Sequence, residues 1–167
     1  MEFRKMRRSR QELTKEECEA ILQRNTAGVL AVLGDGGYPY AVPLSYVYHQ
    51  GAVYFHCATS GHKMDALESC PKASFCVVDQ DQVVPEKYTT YFRSVIVFGQ
   101  VQVLADMEEL SVALMALGKK YAPAEAEEHL LAEIEGSRSR IAVVKLSVDH
   151  ITGKEAMELV KQRGQKG

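Results

Sequence analysis

The hydrophobic positions begin at helical spacing. In "LTKEECEAILQRN", Leu13, Ile21 and Leu22 fall on one side of a helix, and Thr14 followed three residues later by Glu17 forms a capping box. The pattern predicts a helix over Lys15 to Gln23. From Ala27 the character changes. The stretch "AGVLAVLGDGGYPYAVPLSYVYHQGAVYFHCA" is dominated by β-branched and aromatic residues and punctuated by Gly34-Asp35-Gly36-Gly37 and His49-Gln50-Gly51. These are hairpin signals, and they predict three antiparallel strands in succession. Pro39 and Pro43 confine the middle strand to an edge or a bulge, because proline cannot donate to a ladder. An interrupted ladder leaves backbone groups free for a ligand.

A short helix follows from His62 to Ser69, ended by Pro71, and "KASFCVVD" forms a fourth strand. "YTTYFRSVIVFGQVQVLAD" is a fifth, long enough to curve around a barrel, with Gly99 as its bulge or bend. Between Asp106 and Glu135, "MEELSVALMALGKKYAP" and "AEAEEHLLAEIEG" are helix-period runs separated at Pro123. "RIAVVKLSVDHITG" closes the set as a last strand, before a polar, helix-compatible tail. The expectation is an α+β fold, mainly β: a six-stranded antiparallel barrel with peripheral helices.

Composition narrows the picture. With 167 residues, 46% of them hydrophobic, the chain suits a single domain over residues 1–167, residues 1–12 being a basic, partly ordered arm. A net charge of -2 and a pI near 6.2 argue against a nucleic-acid partner. The basic run "FRKMRRSR" reads as a solvated terminus. Cys18, Cys57, Cys70 and Cys76 form no C-x-x-C pair, which points to reduced thiols and a cytoplasmic protein. No apolar run approaches the roughly 20 residues of a membrane span.

The candidate chemistry centres on "TSGHKMDAL". Thr59 and Ser60 supply hydroxyls, Gly61 a flexible backbone, and His62 and Lys63 cations where a helix opens. A phosphate needs that combination, yet a capped helix with exposed charges has the same local pattern. His56 precedes the turn as a tentative catalytic residue, set against packing on a strand. Cys57 cannot pair with it as a nucleophile, since neighbours on a strand face opposite ways. Arg93 and Ser94 stand where a polar tip enters an apolar strand, as a surface charge or as an anion contact. His49, His129 and His150 show no metal-ligand spacing, so no metal site is expected.

Three segments in order, "PLSYVYHQGAVYFHCATSGHKMDAL", "RSVIVFGQVQVL" and "LSVDHITGKEA", make the chain resemble the flavin-binding split-barrel superfamily of pyridoxamine 5'-phosphate oxidase, in its nitroimidazole-resistance (Nim-like) branch. The resemblance implies a homodimer with FMN between its subunits. Pro43, Leu44, Ser45 and Tyr46 would then run along the ring and ribityl chain, with His56 and Cys57 beside the flavin. Thr59, Ser60, Gly61, His62 and Lys63 would hold the phosphate. Arg93 and Ser94 would approach the cofactor, with Lys154 at the far rim. His62 departs from the arginine common in the oxidase branch, and the oxidases' C-terminal substrate segment is not recognisable. The function implied is therefore flavin-dependent reduction or oxidation of a small aromatic or nitroaromatic compound. A non-enzymatic flavin or haem carrier or sensor, and a groove filled by its own side chains, are the alternatives.

Overall fold

The computed structural model describes residues 2–137 and 140–164. The capping box forms: Glu17 N–H donates to Thr14 Oγ1 at 3.3 Å, and Thr14 N–H donates to the Glu17 carboxylate at 2.8 Å. Satisfying these two N–H groups fixes the start of α1 (Lys15–Arg24), which buries Cys18, Ile21 and Leu22. Four further helices follow, α2 (His62–Ser69), α3 (Met107–Tyr121), α4 (Glu127–Ser137) and α5 (Met157–Gly164).

The strands are β1 (Ala27–Leu33), β2 (Pro39–Ser45), β3 (Val47–His49), β4 (Ala52–Ala58), β5 (Lys72–Val84), β6 (Thr89–Val103) and β7 (Ile141–Glu155). They form one antiparallel sheet in the order β2-β1-β5-β6-β7-β4-β3. Leu30, Phe75, Val77, Val95, Val97, Val144 and Leu146, all 0% exposed, point inward from four of them, β1, β5, β6 and β7. Alternation along each strand puts these residues on one face, so the sheet curls around them into a barrel. Both α1 and α2 add side chains to that core, whereas α3 packs outside it on Val47, Ala52, Tyr54 and Val143. Among the described residues no helix is long and apolar enough to cross a membrane.

Seven strands stand where six were expected, because the second expected strand breaks at Tyr46. Its ring is fully buried and its hydroxyl donates to the Leu22 carbonyl at 2.8 Å. Its own N–H donates at 2.9 Å to the hydroxyl of Tyr121, from α3, and that hydroxyl also lies against the carbonyls of Tyr46 and Thr26. A side chain thus takes the backbone groups that a continuing ladder would need. Before the break the chain pairs with β1, and after it with β4. Both β5 and β7 run past their expected ends, where the polar residues Gln80 to Gln82 and Lys154 to Glu155 find ladder partners on β6. Gly99 sits at a register shift, as its position suggested, and a Cβ there would overlap the Ser147 carbonyl.

Replacing Tyr121 with phenylalanine leaves the Tyr46 N–H without its partner. The Tyr121→Phe variant should lose about 1–3 kcal/mol of unfolding free energy, read from urea denaturation midpoints with an unchanged m-value.

Candidate functional site

The barrel is not closed all the way round. Ladder bonds join β3 only to Ala52–Tyr54 of β4, so Phe55–Ala58 pair with β7 on one side and with no strand on the other. At the opposite end of the sheet order, β2 pairs only with β1. The chain spans the interval between β2 and β4 at two places. One is the break at Tyr46. The other is the start of α2, where the His62 ring stacks on Tyr40 of β2 with centroids 4.1 Å apart and planes at 16°. His62 Nε2 also lies 3.8 Å from Asp35, in the β1–β2 turn. Two strand edges with free backbone groups therefore border one seam, and Pro39 and Pro43 suit an edge that must stay unpaired.

The N-terminus of α2 opens beside this seam. Gly61 adopts φ 117° and ψ 171°, a left-handed conformation that favours glycine, and no side chain caps the helix. The Gly61 carbonyl accepts the N–H groups of Met64 and Asp65 at 2.7 and 3.1 Å. Those of His62 and Lys63 precede the first helical bonds and face outward, with the positive end of the helix dipole. Lys63 Nζ lies 5.8 Å from the centroid of the buried Phe55 ring. Among the described residues the ion pairs do not include Lys63. An uncapped helix end and an uncompensated ammonium together suit one anionic group. On its other side the loop borders a cavity of about 400 Å³, lined by Thr59 and Ser60 but also by Asp65 and Glu68. Two carboxylates make that cavity a poor place for an anion.

The expected site residues fall into three groups. Pro43 and Ser45 are exposed on β2 and Leu44 is partly buried, so all three border the seam, as do Thr59 to Lys63 at its end. His62 offers its backbone only, its ring being held by Tyr40. Tyr46 does not join them, since its side chain is in the core and its backbone is held by Tyr121. His56 and Cys57 face opposite ways, His56 exposed on the outer side of β4 and Cys57 packed inward, its Sγ 3.6 Å from Met64 Sδ. Burial pushes the Cys57 thiol up, which nearby Lys63 only partly offsets.

Arg93, Ser94 and Lys154 form the third group, on β6 and β7. Ser94 pairs with Lys154, at the far end of β7 from Ala142, the ladder partner of Cys57. Arg93 is already engaged, donating to Glu155 at 3.0 Å and to Asp79 at 3.2 Å. Asp79 also accepts two bonds from Arg24, at 2.7 and 2.6 Å, and one from Asn25 at 2.8 Å. These residues tie α1 to the middle of the sheet. A cavity of about 390 Å³, which no motif in the sequence marks, lies between α3, α4 and β4. The helical period of α3 and α4 was visible, but not which part of the sheet they would cover.

Fold and seam define the class: a split β-barrel with an anion-adapted helix start at the open edge. A family model described as pyridoxamine 5'-phosphate oxidase matches residues 14–155, and the chain belongs to that family. A search of curated protein sequences gave no match. Among solved structures, a provisionally assigned 5-nitroimidazole antibiotic resistance protein from Bacteroides thetaiotaomicron is 23% identical, with 86% of each chain covered and a TM-score of 0.70. A conserved hypothetical protein from Mycobacterium tuberculosis is 16% identical over 90% of each chain, with a TM-score of 0.78. An FAD-binding protein from Mesorhizobium loti is 25% identical, covering 87% of this chain and 96% of its own, with a TM-score of 0.58.

The Asp79 network predicts a pH dependence. Burial pushes the Asp79 carboxyl up, but bonds from Arg24, Asn25 and Arg93 outweigh it and hold the carboxyl below its ordinary value. A carboxyl depressed in the folded state stabilises above its unfolded pKa, about 3.9, and loses that contribution as pH falls through the folded value. Asp79→Asn should therefore unfold more easily than the parent at pH 7, by about 2 kcal/mol. Urea titrations should show the difference shrinking below about pH 4.

Proposed function

We propose that the protein is a homodimeric flavoprotein that binds FMN along the seam and acts as an oxidoreductase on a small aromatic or nitroaromatic compound. The observation that carries the reading is the pair of unpaired strand edges ending at the uncapped, lysine-bearing start of α2. A flavin ring offers polar edges to backbone N–H and C=O groups, and a ribityl phosphate offers an anion to a helix N-terminus. One helix start with one lysine beside it fits a single phosphate ester, which favours FMN over a dinucleotide. The FAD-binding relative from Mesorhizobium loti supports a flavin in this fold. The four free cysteines agree with a reducing cytoplasm.

When bound, a flavin accepts and returns electrons through its ring. The chain's own contribution is positional. Ser45 and the open backbone of β2 face one border of the seam, Lys63 and the His62 N–H fix the phosphate end, and His56 stands at the rim as a side chain that can give or take a proton. A partner subunit would shield the site from water. The outer face of the sheet supports this: outward positions Pro43, Val29, Cys76, Ile96 and Thr152 form one cross-strand row, and Ala41, Ala31, Ser74, Phe98 and His150 the next. Neither row contains an acid, a lysine or an arginine, and Phe3 already stacks on His150 at 4.5 Å. Ser94 and Lys154, at the far end of β7 from Ala142, would reach a flavin only from a partner subunit.

Incubation with FMN followed by gel filtration should give a yellow protein, and a colourless one overturns the reading. Lys63→Ala should weaken FMN binding by about 1.5–3 kcal/mol, roughly ten- to 150-fold, in a fluorescence-quenching titration. Reduction of the bound flavin without turnover of any nitroaromatic acceptor would mark a carrier instead of an enzyme. Ala31→Arg, which puts a charge at the centre of the outer face, should convert a dimer to a monomer in light scattering.

A further inference from the structure

The cavity between α3, α4 and β4 lies outside the barrel and shares Ser45 and His56 with the seam. Its walls are leucines and isoleucines, Leu114 and Leu117 from α3, Leu130 and Ile134 from α4. Leu114 and Leu117 are buried against the outer face of the barrel, and α4 closes over them from the other side. Where it meets the seam, the exposed residues Ser45 and His56 enter the lining. These two residues sit on the two borders of the seam, one on β2 and one on β4. The hydroxyl of Tyr121, also in the lining, is already bound to Tyr46 and Thr26, and that of Ser137 donates to the Ile134 carbonyl, so at the seam end Ser45 and His56 are the groups that can meet a guest. At the opposite rim Glu133, exposed, opposes entry of a carboxylate or sulfonate.

We propose that this cavity binds a small, uncharged, planar aromatic compound of one or two rings, its edge directed at Ser45 and His56 and so toward the flavin. The volume of about 390 Å³ falls in the range of small-molecule sites, and an apolar lining with a few convergent polar groups is the usual composition of one. The placement rests on the flavin reading of the seam, whereas binding in the cavity does not. The cavity would thereby supply the acceptor site of the oxidoreductase, built by helices outside the barrel instead of by the strands.

The probe is prodan, an uncharged two-ring naphthalene whose emission shifts to the blue in apolar surroundings, titrated into the full chain with and without saturating FMN. The expected result is saturable binding of one probe per chain, with a perturbed visible spectrum of the bound flavin. Ile134→Trp, which fills the cavity, should weaken probe binding at least tenfold while leaving FMN affinity unchanged, and Ser137→Phe should do the same from the other end of the lining. Circular dichroism reports whether each variant folds. Absence of saturable probe binding by the parent chain, or parental probe affinity in a folded cavity-filling variant, overturns the site. A flavin spectrum untouched at saturating probe overturns its placement beside the seam. Probe binding by a chain that refuses FMN would sink the flavin reading alone, and the parent titrations decide both questions should neither variant fold.

Discussion

The backbone groups of β2 and β4 that face each other across the seam have no partner strand, and the rest of the molecule is arranged around keeping them so. A sheet that has curled this far would ordinarily close, because unpaired edges invite pairing. Closure is prevented at both ends. At one end the hydroxyl of Tyr121 occupies the backbone of Tyr46 and turns the chain from β1 toward β4. At the other, the His62 ring leans on Tyr40 and sets the start of α2 between the edges. Two prolines on β2 remove donors that a closing strand would have used.

The same arrangement concentrates charge where polar backbone is exposed. Elsewhere in the molecule arginines and carboxylates neutralise each other, as in the chain of Arg24, Asp79, Arg93 and Glu155 that fastens α1 to β5, β6 and β7. Removing one member of such a partly buried network leaves its partners' charges uncompensated, so the network joins these elements as a unit. Lys63 takes no part in these networks, with an aromatic ring beneath it and the positive end of a helix beside it. At the border of the open seam, an ammonium outside these ion pairs next to an uncapped helix N-terminus has the electrostatics of an anion site.

Much of this was legible in the chain. The capping box of α1, the bounds of α2, the bulge at Gly99 and the edge position of β2 follow from local chemistry, because caps, glycines and prolines act on their immediate neighbours. The turn from Thr59 to Lys63 was legible as a pattern but not as a site, since a capped helix and an anion cradle share the same residues. Arg93 illustrates the opposite case. Its position at the start of a long strand suggested a cofactor contact, whereas its guanidinium is held by Asp79 and Glu155, partners 14 and 62 residues away in sequence. No periodicity or motif encodes a pairing across that distance.

By itself, then, the sequence determined the elements, their mostly antiparallel succession and the residues able to hold an anion, because each depends on interactions within a few positions. Only the tertiary structure decided that the second strand splits at Tyr46, that Tyr46 belongs to the core, that His56 and Cys57 serve different faces, and that α3 and α4 enclose an apolar space against β4. These outcomes depend on a hydroxyl, a ring or a helix arriving from a distant part of the chain to satisfy a buried group or cover an apolar face. Local pattern can state that such a partner is required. Which residue supplies it is settled when the sheet curls and the distant elements meet.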